Sequence, residues 1–315
     1  MHPDARRPRI RADHPDDILA RKLRGGPGAS RGVPEYRAVA WKRASQLNRL
    51  TRIFEADSLA AGAVPSQLSQ IYDGGLTIRD GAVYANFVSS IDGIVALEGG
   101  AAASGGIISG RNESDRFVMG LLRAFADAVL VGAGTVRAEG RGAMWTPEFV
   151  FPAAREAFAA LRQALKRQKT PRLVIVSARG DLDPSYRALQ HGALVLTTGP
   201  AAAHLRKALP RATEVRAISD RERIGVDELF AALKAEGLQT ILTEGGPQLF
   251  GQLLAGNRVD ELFLTISPKL VGQPDGSFGI VRGANFGRTL KGSRLLSVRR
   301  ADSYLFLRYA LEEAA

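Results

Sequence analysis

Apolar residues along this 315-residue chain recur at two periods. Val83–Val88, Asp127–Val131, Arg172–Ser177, Ala193–Thr197, Glu214–Ile218, Gln239–Thr243 and Glu261–Ile266 are short apolar runs bounded by glycine, proline or polar turns. That is the pattern of buried strands. Glu113–Ala124, Pro152–Arg167, Pro200–Leu209, Val226–Glu236 and the stretch after Pro247 carry apolar positions three and four apart, the pattern of helices packed by one face. Strand alternating with helix predicts an α/β fold with a mostly parallel sheet and helices on both faces. Two closing strands with no helix between them, Arg294–Arg299 and Ser303–Tyr309, predict an antiparallel C-terminal edge.

The first third reads differently. Residues 1–33 are rich in Arg, Pro, Gly and Asp with little periodicity, and are expected to form a disordered basic leader. From Pro34, Val39, Leu47, Leu50, Ile53, Phe54 and Leu59 fall at helical spacing, so residues 34–80 are expected to be a helical extension. The compact domain is expected over residues 81–312.

Composition narrows the function. The hydrophobic share of 45% and charged share of 24% suit a soluble globular protein. No apolar run reaches membrane-spanning length, and no apolar segment follows the first basic residues, so a cytoplasmic protein is expected. There are no cysteines, which excludes disulfides, thiol catalysis and cysteine-ligated zinc; the four histidines have no metal-ligand spacing, so no metal is expected. Of the net charge of +11, +8 lies in residues 1–53, with thirteen Lys and Arg against five Asp and Glu. Basicity thus belongs to the leader, and nucleic acid is not an expected partner of the body.

Three turns carry the candidate chemistry. Ser89–Gly93, Gly132–Thr135 and Glu244–Gly246 each follow a strand, at the sheet edge where open α/β folds bind ligands. Pro247 suits a first helical position and Gly256 a stop. Gly245 and Gly246 therefore sit where backbone N–H groups and a helix dipole favour a phosphate, although a tight turn alone also accounts for them. The Rossmann fingerprint fails, because Arg137 stands where Gly132-x-Gly134 would need a third glycine.

In order, Ser89-Ser90-Ile91-Asp92-Gly93, Val131-Gly132-Ala133-Gly134-Thr135-Val136-Arg137-Ala138-Glu139, Thr243-Glu244-Gly245-Gly246-Pro247, Val259-Asp260-Glu261-Leu262 and Ser267-Pro268-Lys269-Leu270-Val271-Gly272 run through the body. Together they resemble the pyrimidine reductase of riboflavin biosynthesis, the reductase half of the bifunctional deaminase–reductase and a relative of dihydrofolate reductase. The resemblance implies a stand-alone reductase with the dihydrofolate reductase-like three-layer fold, since a cysteine-free chain cannot build the deaminase zinc site. It implies an NADPH cofactor, a homodimer paired through the sheet edge, and hydride transfer to a C=N bond of a 5-amino-6-(5-phosphoribosylamino)uracil-type pyrimidine. A pteridine reductase of the same fold and a non-catalytic nucleotide-binding regulator are the alternatives.

Carried over by position, the resemblance assigns Gly132, Ala133, Gly134, Thr135 and Glu139 to the cofactor. It assigns Gly245, Gly246, Pro247, Gln248, Leu249, Phe250 and Gly251 to the pyrophosphate, with a cis peptide between Gly245 and Gly246. Ser177 and Arg179 would meet the 2′-phosphate. Asp92, Ser104, Arg123 and Glu244 would contact substrate, Asp92 and Glu244 as the catalytic pair, with Asp92 or water delivering the proton. Plainer roles compete: a turn for Asp92, a surface ion pair for Arg123, helix-dipole capping for Glu244. The family usually follows the Glu139 segment with a Pro-x-Leu-Thr-x-Arg run. Here Gly140-Arg141-Gly142-Ala143-Met144-Trp145 stands instead, with Arg141 as a substitute at different spacing. Ile107-Ile108-Ser109 also lacks the usual aromatic residue, which leaves the substrate open.

Overall fold

The computed structural model describes residues 49–59, 62, 64–97, 104–272, 277–287 and 290–312. In chain order its strands are β1 (Thr51–Glu55), β2 (Val83–Ser89), β3 (Ala96–Leu97), β4 (Ala128–Gly132), β5 (Arg172–Ser177), β6 (Leu194–Thr198), β7 (Glu214–Ser219), β8 (Ile241–Thr243), β9 (Glu261–Ile266), β10 (Ser277–Phe278), β11 (Ser293–Ala301) and β12 (Tyr304–Leu311). Its helices are α1 (Ser66–Tyr72), α2 (Ser104–Ile108), α3 (Glu113–Phe125), α4 (Ala133–Glu139), α5 (Pro147–Val150), α6 (Arg155–Ala164), α7 (Arg187–Gln190), α8 (Gly199–Ala208), α9 (Val226–Ala235) and α10 (Pro247–Ala255).

Among the described residues one ten-stranded sheet runs β1-β11-β12-β9-β2-β8-β4-β5-β6-β7, and β3 pairs separately with β10. From β9 through β7 neighbouring strands are parallel. β12, β11 and β1 add on antiparallel. The parallel strands β4, β6 and β8 are buried on both faces, and their alternate residues feed different cores. On β4, Val129 and Val131 join the core with Phe117, Leu121 and Phe158, whereas Ala128 and Leu130 join the core with Leu229, Phe250 and Leu253. This is the three-layer, mostly parallel α/β arrangement with an antiparallel C-terminal edge that the sequence led us to expect.

Three expectations are corrected. Thr51–Glu55 is a strand paired with β11, not part of a helix. Ile53 falls in a bulge between the paired residues Arg52 and Phe54. A bulge breaks the period of two, so adjacent Ile53 and Phe54 mimic helical spacing in the sequence. Next, Leu50, Leu68, Tyr72, Leu76 and Ile78 lie in the same core as α3, so residues before Gly81 belong to the body. Arg299 ties them down. It is 1% exposed, stacks 3.9 Å above the Tyr72 ring, and donates to the Tyr72 carbonyl at 2.8 Å and to Glu55 at 2.6 Å. Last, β1 adds outside β11, so the antiparallel edge has three strands and not only the two closing ones. The leader and the first part of the expected helical extension lie outside the described residues.

α3 matters most for the site. Asn112 caps its start by accepting the Asp115 N–H at 3.0 Å. At its end, Arg162 of α6 donates from Nη1 to the Arg123, Ala124 and Ala126 carbonyls at 3.2, 3.1 and 2.8 Å. The Arg123 carbonyl also accepts the Ala126 N–H at 3.3 Å, and the cation suits the negative end of the helix. Burial pulls the Arg162 guanidinium down to about 10. Both ends of α3 are therefore fixed against the sheet, with Asp115 in the first turn and Arg123 in the last.

Candidate active site at the strand ends

Two of the glycine turns meet. β4 ends at Gly132 and α4 begins at once; β8 ends at Thr243 and α10 begins at Pro247. The Gly246 N–H donates to Thr135 Oγ1 at 3.0 Å, and the Glu244 N–H donates to the Leu130 carbonyl at 3.1 Å. The peptide between Gly245 and Gly246 is trans, which corrects the expected cis bond. Gly246 already has an extended cap geometry, φ −66° and ψ 175°, that presents its N–H to Thr135 without a cis bond.

The missing side chains of these glycines separate packing from ligand space. A Cβ on Gly245 would strike Leu249 at 2.6 Å, and one on Gly251 would strike the Arg282 carbonyl at 2.3 Å, so those two are glycine for packing. A Cβ on Gly132 would meet nothing within 4 Å, on Gly134 only Arg137 at 3.9 Å, and on Gly246 only Thr135 at 3.5 Å. None of the three has a positive φ. Neither the backbone nor the packing demands glycine there, and open surface is kept at the point where two strand ends and the start of α10 converge. Leu249 and Phe250 point into the core, with the Phe250 ring 4.9 Å from that of Phe87. Only their backbone can face an anion. Pro247 has no N–H, so Gln248 and Leu249 bring the first free donors of α10.

Beside this surface lies a buried ion pair. Arg123 reaches from α3 and grips Glu244 with both arms of its guanidinium, Nε to Oε1 at 2.9 Å and Nη2 to Oε2 at 2.6 Å. The side chains are only 5% and 9% exposed. Arg123 Nη1 donates to the Met144 and Thr146 carbonyls at 3.2 and 3.4 Å. Arg123 is therefore the fixed partner that aims Glu244, and not the surface residue that was the plainer alternative. Glu139 closes α4 nearby. It is open to solvent, yet the surrounding walls desolvate its carboxyl and, with the Glu244 charge, raise it above its usual range; Arg123 opposes this.

Asp92 sits in the third turn. It accepts from the Ser90 hydroxyl at 2.5 Å and from the Val271 and Gly272 N–H groups at 3.1 and 2.6 Å. Ser90 first, then the two N–H groups, hold its carboxyl below the usual range. A carboxylate so engaged ties the Ser90–Gly93 turn to the segment after β9 and is poorly suited to releasing a proton near neutral pH.

Elsewhere the residues divide. Ser177 is buried and accepts the Gly180 N–H at 3.1 Å. Arg179 is exposed and forms no ion pair among the described residues. Arg141 is engaged with Asp183 at 2.9 Å on the surface. Ser104 begins α2. Lys269 donates to the Ile107 carbonyl at 2.7 Å and brings a cation to the loop before α3. No cluster of metal-ligating side chains occurs among the described residues. A cavity of about 490 Å³ lies at the amino ends of β5 and β6, near Trp145, Arg155 and His191, and contains none of these groups.

One residue escaped the sequence reading. Asp115 is 4% exposed in the first turn of α3, hydrogen-bonded to Thr265 near the end of β9. Burial pushes its carboxyl up to about 6; the Glu244 charge adds to this, whereas the Thr265 hydrogen bond and Arg116 oppose it. Its signal was readable: Asp115 stands three and seven residues before Val118 and Leu122, on the apolar stripe of the helix.

Comparison with known proteins agrees with this geometry. Over 220 residues the chain is 29% identical to the 2,5-diamino-6-ribosylamino-4(3H)-pyrimidinone 5′-phosphate reductase of Archaeoglobus fulgidus, across 69% of this chain and 92% of that one. A pyrimidine reductase-like protein from Corynebacterium diphtheriae superposes with TM-score 0.60 at 26% identity, over 74% of this chain and 92% of the other. A Thermotoga maritima deaminase/5-amino-6-(5-phosphoribosylamino)uracil reductase shares the fold, with TM-score 0.53 and 21% identity, and this chain spans 56% of its length. The model of the RibD C-terminal domain matches residues 82–299, from the start of β2 into β11, and the chain belongs to that family.

Proposed function

We propose that this protein is an NADPH-dependent reductase acting on the C=N bond of a phosphoribosylaminopyrimidine. The observation that carries the reading is the trio Gly132, Gly134 and Gly246, glycine without a backbone or packing reason around one patch of strand ends. Those residues fit a dinucleotide. The open glycines admit it closely, and the Gln248 and Leu249 N–H groups at the start of α10 suit its pyrophosphate. Arg179 offers a free guanidinium to a 2′-phosphate. When bound, a dihydronicotinamide supplies the hydride.

The chain's own residues then orient and exclude water. Thr135 fixes the Gly246 amide. Arg123 fixes the Glu244 carboxylate, which accepts N–H groups of the substrate. Asp92 holds the loop that borders the substrate, and Lys269, bonded to the Ile107 carbonyl, offers that loop a cation. The rate gain comes chiefly from holding reactants in register in a dry site.

Gly246→Val tests this. A Cβ there fits the protein with only an ordinary contact to Thr135. The variant should therefore melt close to wild type while losing most NADPH affinity, measured by cofactor fluorescence. Full affinity in a folded variant would refute the phosphate site.

A further inference from the structure

The cavity of about 490 Å³ has no part in that reading. It lies where Pro171 leads into β5 and Gly192 approaches β6, at the opposite ends of the strands from the glycine turns. Its volume falls within the roughly 300–1,000 Å³ of small-molecule pockets. Its charge is lopsided. Arg155, Arg187 and His191 line it against one acid, Glu148. Neither guanidinium has an ion pair or a side-chain hydrogen bond among the described residues. His191 spends Nδ1 on the Arg187 carbonyl at 3.0 Å and keeps its other ring nitrogen. Trp145 forms part of the wall. It is 4% exposed, yet its indole N–H meets no acceptor among the described residues. A buried indole usually finds a partner, so this donor points to an acceptor that arrives with a ligand. Phe149, a large apolar side chain left exposed, lines the same cavity.

An occupant must match aromatic walls, one N–H donor and two unspent guanidiniums. Aromatic side chains favour a flat ring, and guanidiniums favour phosphate, whose several oxygens can serve both forks at once. We propose that this cavity binds a small aromatic phosphate monoester and that its occupancy is felt at Glu244. The path is short. Trp145 lies between Met144 and Thr146, and the carbonyls of those two residues receive Arg123 Nη1 at 3.2 and 3.4 Å. The same guanidinium grips Glu244. A ligand that draws on Trp145 therefore acts on the backbone that seats Arg123. Binding stands independently of the reductase reading, and its effect on turnover rests on that reading.

The probe is 4-nitrophenyl phosphate, whose nitroaromatic ring quenches tryptophan. The chain has two tryptophans, so full-length Trp41→Phe protein reports Trp145 alone. The probe should quench it saturably, and inorganic phosphate, which lacks the ring, should compete at least about tenfold more weakly. Arg155→Glu combined with Arg187→Glu should weaken the probe at least about thirtyfold, because two charge-assisted contacts become repulsive. Both arginines are exposed, so the melting temperature should be retained. Each replacement alone should cost at least about fivefold, and the single variants decide where the pair fails to fold. Gly246→Val should bind the probe as its parent does, which separates this cavity from the cofactor surface. Absence of saturable quenching, or quenching unchanged in the arginine variants, overturns the site. Saturating probe should also shift KM for 2,5-diamino-6-ribosylamino-4(3H)-pyrimidinone 5′-phosphate at least about threefold in the wild type and leave it unmoved in the double variant. A KM that ignores bound probe, or a shift that persists in the double variant, overturns the link to Glu244. A protein that binds the probe and turns over no pyrimidine removes the reductase reading and keeps the site.

Discussion

Glu244 and Asp115 are both carboxylates withdrawn from water at the strand ends, and the protein treats them in opposite ways. Glu244 receives a guanidinium in fork geometry, itself held by two backbone carbonyls. Asp115 receives one hydroxyl, and its carboxyl rises to about 6. A buried charge with a permanent partner is part of the architecture, and its direction is set before any ligand comes. A buried charge without one carries a cost that protonation relieves.

The sharpest way to break this comparison is to remove the partner. Arg123→Met should leave Glu244 buried and uncompensated, and lower the unfolding free energy by about 3–5 kcal/mol in urea titrations. Adding Glu244→Gln should recover most of that loss, since no buried charge then remains. A loss below about 1 kcal/mol would place the pair among weak surface bridges and undo the contrast.

The sequence showed one half of this contrast better than the other. The parallel strands were legible because each is an unbroken apolar run, and the glycine turns because they follow those runs directly. Glu244 stood out because it sits inside such a turn. Its pairing with Arg123, named only as a substrate contact, did not, because the two are 121 residues apart and only the docking of α3 brings them together. Asp115 lies on the apolar stripe of α3, but an acid in a first helical turn reads first as a favourable dipole contact. Thr51–Glu55 was misread because a bulge imitates helical spacing, and β11, which pairs with it, lies far along the chain.

A second, smaller effect concerns Asp115 itself and runs with pH. The carboxyl titrates at about 6 in the fold and at 3.8 ordinarily. Below about pH 4 it is protonated folded or unfolded, and the fold bears no penalty. Between these values the fold holds a proton that the unfolded chain has released, so stability falls as pH rises, and above about 6 the full cost is present. A gap of about two pH units sets an upper bound near 3 kcal/mol. Asp115→Asn should therefore be more stable than wild type at pH 8, by on the order of 1–3 kcal/mol, and the gain should fade near pH 4. Equal destabilisation at both ends of the range would mean that Asp115 is a structural residue like Glu244.

Arg179 extends the comparison to a cation. It stands exposed after β5 with no ion pair among the described residues, so its removal leaves no buried charge behind and should not change stability. The adjacent Ser177 differs, because its buried hydroxyl already holds the Gly180 N–H; Ser177→Ala should disturb the turn more than the ligand. Arg179→Ala should weaken NADPH by about 2 kcal/mol, the worth of one charge-assisted hydrogen bond, or roughly thirtyfold in Kd. NADH has no 2′-phosphate for the guanidinium to meet, and its affinity should hardly move. Titrations of both cofactors against wild type and variant separate the cases. If the two cofactors weaken alike, Arg179 acts on the shared part of the molecule or on the loop, and the proposed choice of NADPH loses its support.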